Sequence, residues 1–174
     1  MSDRTYPDES VGSFPSPPAA FTGGEDREIR LRESGRDDVD ALVEMYEGFD
    51  PADRAQGIPP IDSEAIRDWL DVIVTDDSVS VVAGHDDRLV GHAILVPDRE
   101  DGYELAIFIL GEYQGAGIGT ELLAHLLGAG QDAGVDRVWL TVERWNDAAI
   151  ALYRKIGFET AGSESFELEM SIRL

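Results

Sequence analysis

A glycine-rich turn between an apolar strand and an amphipathic helix is the feature that most constrains how this chain folds. Residues 103–110 form an apolar, strand-like run, residues 114–119 read QGAGIG, and residues 117–133 carry leucines at helical spacing. Glycine lets the backbone approach an anion closely, and the N–H groups of a first helical turn have no partner inside the helix. The sequence therefore predicts a phosphate site at the start of this helix.

Two other nucleotide-binding turns fit this stretch poorly. Gly115, Gly117 and Gly119 give G-x-G-x-G rather than the G-x-G-x-x-G of dinucleotide folds, and the turn follows several predicted strands instead of opening a βαβ unit. No Lys-Ser or Lys-Thr pair follows the glycines, as a P-loop requires. A tight structural connection without a ligand stays open as the plain alternative.

The motifs around the turn resemble those of a known family. Gln114-x-x-Gly117-x-Gly119 follows the apolar run, and Asn146, Tyr153 and a closing Gly-Phe pair follow one helix and one strand later. This order is similar to the GCN5-related N-acetyltransferase (GNAT) superfamily, clearly over residues 78–174 and more loosely over 28–77. The resemblance implies a transfer of acetyl from acetyl-CoA, as co-substrate, to a primary amine in a ternary complex, without a metal.

The pattern along the chain predicts one α/β domain over residues 28–174. Residues 1–27 are rich in Pro, Ser, Gly and acidic residues and are expected to form a mobile tail. The remaining periodicities give the order β-α-α-β-β-β-α-β-α-β-β. That is the order of the single-domain GNAT fold, with a mixed central β-sheet flanked by helices.

The charge balance restricts partners and environment. The chain carries 36 acidic against 14 basic residues, a formal charge of −22, and Lys155 is its only lysine. Acidic residues spread through most elements argue against a nucleic-acid partner. The composition resembles that of cytoplasmic proteins of extreme halophiles, because molar salt screens such repulsion. No signal peptide or membrane span is visible, no cysteine is present, and a cytoplasmic location is expected.

The resemblance assigns most of the site to acetyl-CoA binding. It implies that the strand splays from its neighbour, that its backbone holds the pantetheine arm, and that the Ile109 N–H donates to the thioester oxygen. Asn146 would bond the pantetheine through its amide, although capping of the next helix is an alternative. The expected cofactor-binding residues are Ile107, Phe108, Ile109, Gln114, Gly115, Ala116, Gly117, Ile118, Gly119, Thr120 and Asn146.

The resemblance also implies the catalytic residues. Tyr153 corresponds to the general acid that protonates the coenzyme A sulfur, with a packed core tyrosine as the alternative. Thr141 stands where related Nα-acetyltransferases carry a glutamate base. Glu143, on the same strand face, is the substitute candidate, while Glu104, which strand alternation turns the other way, and a water chain stay open. The histidines are isolated and show no metal-ligand spacing.

The amine acceptor is the least determined part. The resemblance implies that the acceptor is recognised by the C-terminal strands and by the first two helices and their loop. That loop, here residues 45–62, includes Tyr46, Phe49, Asp50, Asp53, Arg54 and Gln56. A small-molecule amine or a peptide amine, including a protein lysine or N-terminus, is compatible with the sequence. A non-catalytic acyl-CoA-binding or regulatory domain is the alternative function. Dimers are common in the family, so a homodimer is compatible with the resemblance.

Overall fold

A mixed eight-stranded sheet forms the centre of the computed structural model, which describes residues 4–50, 59–115, 117–163 and 166–174. The strand order across the sheet is β1-β2-β3-β4-β5-β6-β8-β7, and β5–β6 is its parallel pair. The strands are β1 (Ala19–Thr22), β2 (Glu28–Glu33), β3 (Val79–His85), β4 (Arg88–Pro97), β5 (Tyr103–Ile109), β6 (Arg137–Glu143), β7 (Glu159–Ser163) and β8 (Glu167–Arg173).

Four α-helices flank the sheet within the described residues: α1 (Val39–Glu47), α2 (Ser63–Ile73), α3 (Ile118–Asp132) and α4 (Asp147–Ile156). The Asp62 side chain caps α2 by accepting from the Ala65 N–H, so Asp62 is the N-cap and Ser63 is the first residue of the helix. Gly157 ends α4 at a φ of 128°, which glycine adopts without strain. None of these helices combines the length and the apolar character needed to cross a membrane.

The helices cover opposite faces of the sheet, as β4 makes clear. A Cβ placed on Gly91 would touch Leu122 of α3, whereas the neighbouring His92 bonds to Tyr46 of α1. Because successive strand residues point to opposite faces, α3 lies on one side and α1 on the other. Both faces of β4 are therefore buried, which accounts for its nearly continuous apolar run.

The element order expected from the sequence is confirmed, with one addition at the N-terminus. β1 pairs antiparallel with β2, in a segment where a mobile tail is expected. The described part of that segment, residues 4–27, also bonds to the domain beyond β1: Val11 N–H donates to the Arg173 carbonyl, and Phe14 N–H donates to Gln131 Oε1. The partners of Val11 and Phe14 are more than a hundred residues away in the sequence, which local composition does not reveal.

Candidate active site

Two neighbouring strands, β5 and β6, separate soon after they meet. They pair only at Tyr103↔Val138 and Glu104↔Trp139, while β5 stays paired with β4 along its whole length. Beyond Glu104, the edge of β5 that faces β6 therefore has no strand partner within the described residues. This is the splay that the family resemblance implies.

The register shows which backbone groups face this gap. Leu110 N–H donates to the Val90 carbonyl of β4 at 3.0 Å, on the side away from β6. Because N–H groups alternate sides along a strand, those of Ile107 and Ile109 point toward the gap. The Ile109 carbonyl points the same way and accepts from Gln114 Nε2 at 3.0 Å. Gln114 thus ties the turn to the end of β5 and leaves the Ile109 N–H as a donor.

The turn itself is built on glycine conformations. Gly115 and Gly117 have φ values of 76° and 81°, and a Cβ on either would meet nothing within 4 Å. Open space therefore lies beside the backbone, where an anion could approach. Gly117 precedes α3, whose start has no side-chain cap, so the N–H groups of its first turn remain available. Ala116 lies outside the described residues.

The helix α4 carries the two polar residues of the second motif. Asn146 is its N-cap, and Asn146 Oδ1 accepts from the Ala149 N–H at 3.2 Å. The capping alternative is thus realised, but it uses only the oxygen. Nδ2 donates no hydrogen bond to any residue described in the structure, so it keeps its donors for a ligand.

Tyr153 is buried on α4 and packs edge-on against Phe158, with ring centroids 5.8 Å apart. Burial raises the pKa of its phenol to about 12, so the hydroxyl is protonated at neutral pH. It makes no hydrogen bond within the described residues, and its oxygen is not sealed from solvent. Tyr153 therefore combines a packed ring, as the core alternative expects, with a protonated hydroxyl that has no hydrogen-bond partner within the described residues.

A cavity of about 480 Å³ joins these groups. It brings together eight residues expected from the sequence: Ile107, Phe108, Ile109, Gln114, Gly119, Glu143, Asn146 and Tyr153. Gly115, Gly117, Ile118 and Thr120 do not line it and form the adjoining turn and helix start. A larger hollow of about 820 Å³, between β2, the β3–β4 hairpin and α1, contains none of the expected residues. In the described residues, no cluster of three metal-ligating side chains occurs.

Two carboxylates border the cavity, and the sequence favours one of them. Glu143 lines it together with Thr141, but so does Glu104, which strand alternation turns the other way. Because β5 and β6 diverge directly after Glu104, residues from both strand faces reach the gap. Although the residue is exposed overall, burial raises the pKa of the Glu104 carboxyl, Arg4 opposes this change, and Asp98 adds to it.

The structure also contains a buried polar chain that sequence reasoning missed. His92 Nδ1 lies 2.6 Å from the Tyr46 hydroxyl, and His92 Nε2 lies 2.8 Å from Ser80 Oγ, which meets Ser34 Oγ at 2.6 Å. Burial lowers the pKa of His92 to about 3, so the ring is neutral. The sequence signal for this polar chain is a histidine within the apolar run of β4. A histidine buried there needs hydrogen-bond partners, because buried polar groups are rarely left unpaired.

A family model and the similar curated proteins all describe acetyltransferases. A model of the acetyltransferase (GNAT) family matches residues 40–158. An uncharacterized N-acetyltransferase of Mycobacterium tuberculosis is 36% identical over 89 residues, which cover 51% of this chain and 57% of that protein. The ribosomal protein bS18-alanine N-acetyltransferase of Salmonella typhimurium is 37% identical over 76 residues, which cover 44% and 51%. The match thus spans about half the length of these curated relatives.

Solved structures share the whole fold. The GNAT domain of an S. lividans protein called PAT superposes with a TM-score of 0.76 at 18% identity, covering 90% of this chain and 97% of that one. The ribosomal-protein-alanine N-acetyltransferase of Brucella melitensis gives 0.68 at 27% identity, covering 83% and 99%. A Salmonella typhimurium protein, yncA, solved with its cofactor acetyl-CoA, gives 0.65 at 18% identity, covering 84% and 94%.

Proposed function

Because the chain belongs to the acetyltransferase (GNAT) family, we propose that it is an N-acetyltransferase that moves an acetyl group from acetyl-CoA to a primary amine. The observation that carries this proposal is the gap between β5 and β6, which is bordered by residues of both family motifs. An unpaired strand edge beside a helix start offers backbone donors along a single groove. A long ligand with an anion at one end and amides along its length fits such a groove.

The residues of this chain would hold acetyl-CoA in two places. The turn and helix start, from Gln114 to Thr120, would hold the pyrophosphate through backbone N–H groups and the positive end of the α3 dipole. The gap-facing N–H groups of Ile107 and Ile109, with Nδ2 of Asn146, would bind the pantetheine amides. When bound, acetyl-CoA would supply an activated acetyl thioester, and the Ile109 N–H is the proposed donor to its carbonyl oxygen.

Tyr153 is the proposed acid. Its phenol keeps its proton at neutral pH because burial raises its pKa to about 12, and its ring is fixed by packing against Phe158. A positioned donor of this kind can protonate a departing thiolate, which leaves as a neutral thiol. Since the chain contains no cysteine, we propose direct transfer to the amine without an acyl-cysteine step.

A carboxylate is the proposed base. Glu143 lies on β6 beside the cavity and is the first candidate. Glu104 is the second candidate, because burial raises the pKa of its carboxyl and so makes it a stronger proton acceptor. Glu143→Gln and Glu104→Gln, compared one at a time, should identify the base as the variant with the larger fall in kcat/KM.

The decisive experiment measures coenzyme A release with Tyr153→Phe, and with Tyr103→Phe as a control that deletes a hydroxyl outside the cavity lining. We expect kcat to fall on the order of 10²-fold or more in Tyr153→Phe, as for loss of a general acid, with acetyl-CoA affinity unchanged. Equal turnover in the wild type and Tyr153→Phe would reject this role. Acetyl-CoA binding without turnover on any amine would instead favour a non-catalytic acyl-CoA-binding domain.

A peptide N-terminus is a second candidate acceptor. The ribosomal-protein-alanine acetyltransferases among the similar proteins support it, because their names specify the nitrogen of an alanine, which is a free amine only at the start of a peptide chain. Thr141 argues against a peptide N-terminus as the acceptor. It stands at the position where related Nα-acetyltransferases carry a glutamate base. Mass spectrometry of acetylated peptides separates protein acceptors from small amines.

A further inference from the structure

The end of the cavity away from α3 is walled by three aromatic rings. Phe49 follows α1, Trp69 belongs to α2, and Phe108 belongs to β5. The Phe108 ring centroid lies 5.6 Å from that of Trp69 and 6.2 Å from that of Phe49, both nearly perpendicular. Buried Tyr46 packs against all three rings at 5.2 to 5.5 Å. This packing forms a firm apolar wall.

The charged residues that line the same cavity have one sign. Within the described residues, Glu104 and Glu143 are its charged lining groups, and no arginine, lysine or histidine lines it. Arg4, which acts on Glu104 from nearby, does not line the cavity and pairs with Glu169 at 3.2 Å. A third carboxylate brought into the cavity by a substrate would lose water without gaining a cation from the described lining. An ammonium group would instead be attracted by both glutamates.

Resting on the acetyl transfer proposed above, we infer that the acceptor is a primary ammonium attached to an apolar or aromatic group, with no carboxylate on the neighbouring carbon. An arylalkylamine and the apolar N-terminal residue of a peptide share this chemistry, whereas a free amino acid does not. The ammonium lies toward the glutamates and the apolar group lies on the wall of Phe49, Trp69 and Phe108.

The reaction balances with one released proton. The ammonium gives a proton to a carboxylate and then to solvent, the amine nitrogen forms a C–N bond as the C–S bond breaks, and Tyr153 protonates the sulfur. The second amine proton restores the phenol. Ammonium and thioester thus become amide, thiol and one proton.

Matched acceptors test this inference: 2-phenylethylamine, phenylalanine, phenylalaninamide and a tetrapeptide with an N-terminal phenylalanine. We expect kcat/KM for 2-phenylethylamine and phenylalaninamide to exceed that for phenylalanine by about 100-fold, the ratio that corresponds to one unpaired charge. The tetrapeptide distinguishes a peptide source from a small amine. Assays belong at the lowest salt that keeps the protein folded, since salt screens the discrimination. Equal or better use of phenylalanine would overturn the inference.

A binding measurement keeps this result separate from the acetyl-transfer proposal. Calorimetry in the presence of coenzyme A should give tighter binding of 2-phenylethylamine than of phenylalanine, even in Tyr153→Phe. Trp69→Ala should weaken the binding of 2-phenylethylamine at least about 10-fold, as expected for loss of a large aromatic contact. The affinity for coenzyme A should stay unchanged. Val72→Ala, on the same helix but 73% exposed, is the matched control and should change neither. Equal binding of both acceptors would reject the inference whether or not turnover occurs.

Discussion

Acid is expected to destabilise the aromatic side of the proposed active site through His92. The ring is fully buried between the Tyr46 hydroxyl and Ser80 Oγ. Burial lowers the pKa of His92 from 6.5 to about 3, against a smaller opposing effect of Asp38. The unfolded chain therefore binds a proton at His92 between these two pH values, and the folded chain does not. Stability is fully present above about pH 6.5 and is lost as the pH falls toward 3.

The size of this effect follows from the shift. Each unit of pKa difference is worth about 1.4 kcal/mol, so the free energy of unfolding falls by about 2 kcal/mol between about pH 7.5 and about pH 5. Over the whole window the loss approaches about 5 kcal/mol, which is comparable to the total stability of many domains. Because Tyr46 packs on Phe49, Trp69 and Phe108, partial unfolding around His92 should first affect the apolar wall that these three rings form.

The assay compares denaturant unfolding of the wild type and His92→Gln across pH at constant salt. Glutamine can hydrogen-bond to Tyr46 and Ser80 but does not titrate, so the surface carboxylates contribute equally to both proteins. We expect the variant to be less stable at neutral pH and less sensitive to acid. Parallel pH profiles for the two proteins would refute the argument, because they would show that His92 gains no proton on unfolding.

The other predictions concern the turn, the N-terminal segment and the surface. Gly117→Ala and Gly134→Ala both place a side chain at positive φ in open space, so each should lose about 1 kcal/mol of stability, but Gly117→Ala alone should weaken coenzyme A binding by calorimetry. Gly128→Ala would drive a Cβ into the Pro15 carbonyl and should make the N-terminal segment sensitive to limited proteolysis, whereas Gly35→Ala, in open space, should not. With a formal charge of −22, the fold should need molar KCl, and cooperative thermal unfolding by circular dichroism in dilute buffer would contradict this.

The element order and the turn could be predicted because each has a local signal. Leucines at helical spacing mark α3, and the glycines at 115 and 117 adopt the positive φ values that their residue type favours. The helix and the glycine turn are formed by residues that are adjacent in the sequence, so a local pattern is enough to predict them. The residues of the second motif reach the same cavity because α4 follows β6 directly.

Long-range contacts account for what the sequence did not reveal. His92 finds Tyr46 across 46 positions, and Phe14 finds Gln131 across 117. The proline-rich composition of the first residues is typical of a mobile segment, yet backbone hydrogen bonds hold it to the domain. The orientation of Glu104 depends on where β5 and β6 part, which no periodicity within β5 encodes.

Gly119 connects the three parts of the site. Its φ is not positive, so backbone strain does not explain the glycine. A Cβ there would stand 3.4 Å from Ile109 Cδ1 and 3.5 Å from Leu152 Cδ2, so a larger side chain would push β5 and α4 away from the start of α3. Ile109 carries the N–H that faces the gap, and Leu152 precedes Tyr153. Because close-packed interiors transmit such displacements, the spacing between the proposed anion site, the proposed backbone donor and the proposed acid depends on a small residue at this position.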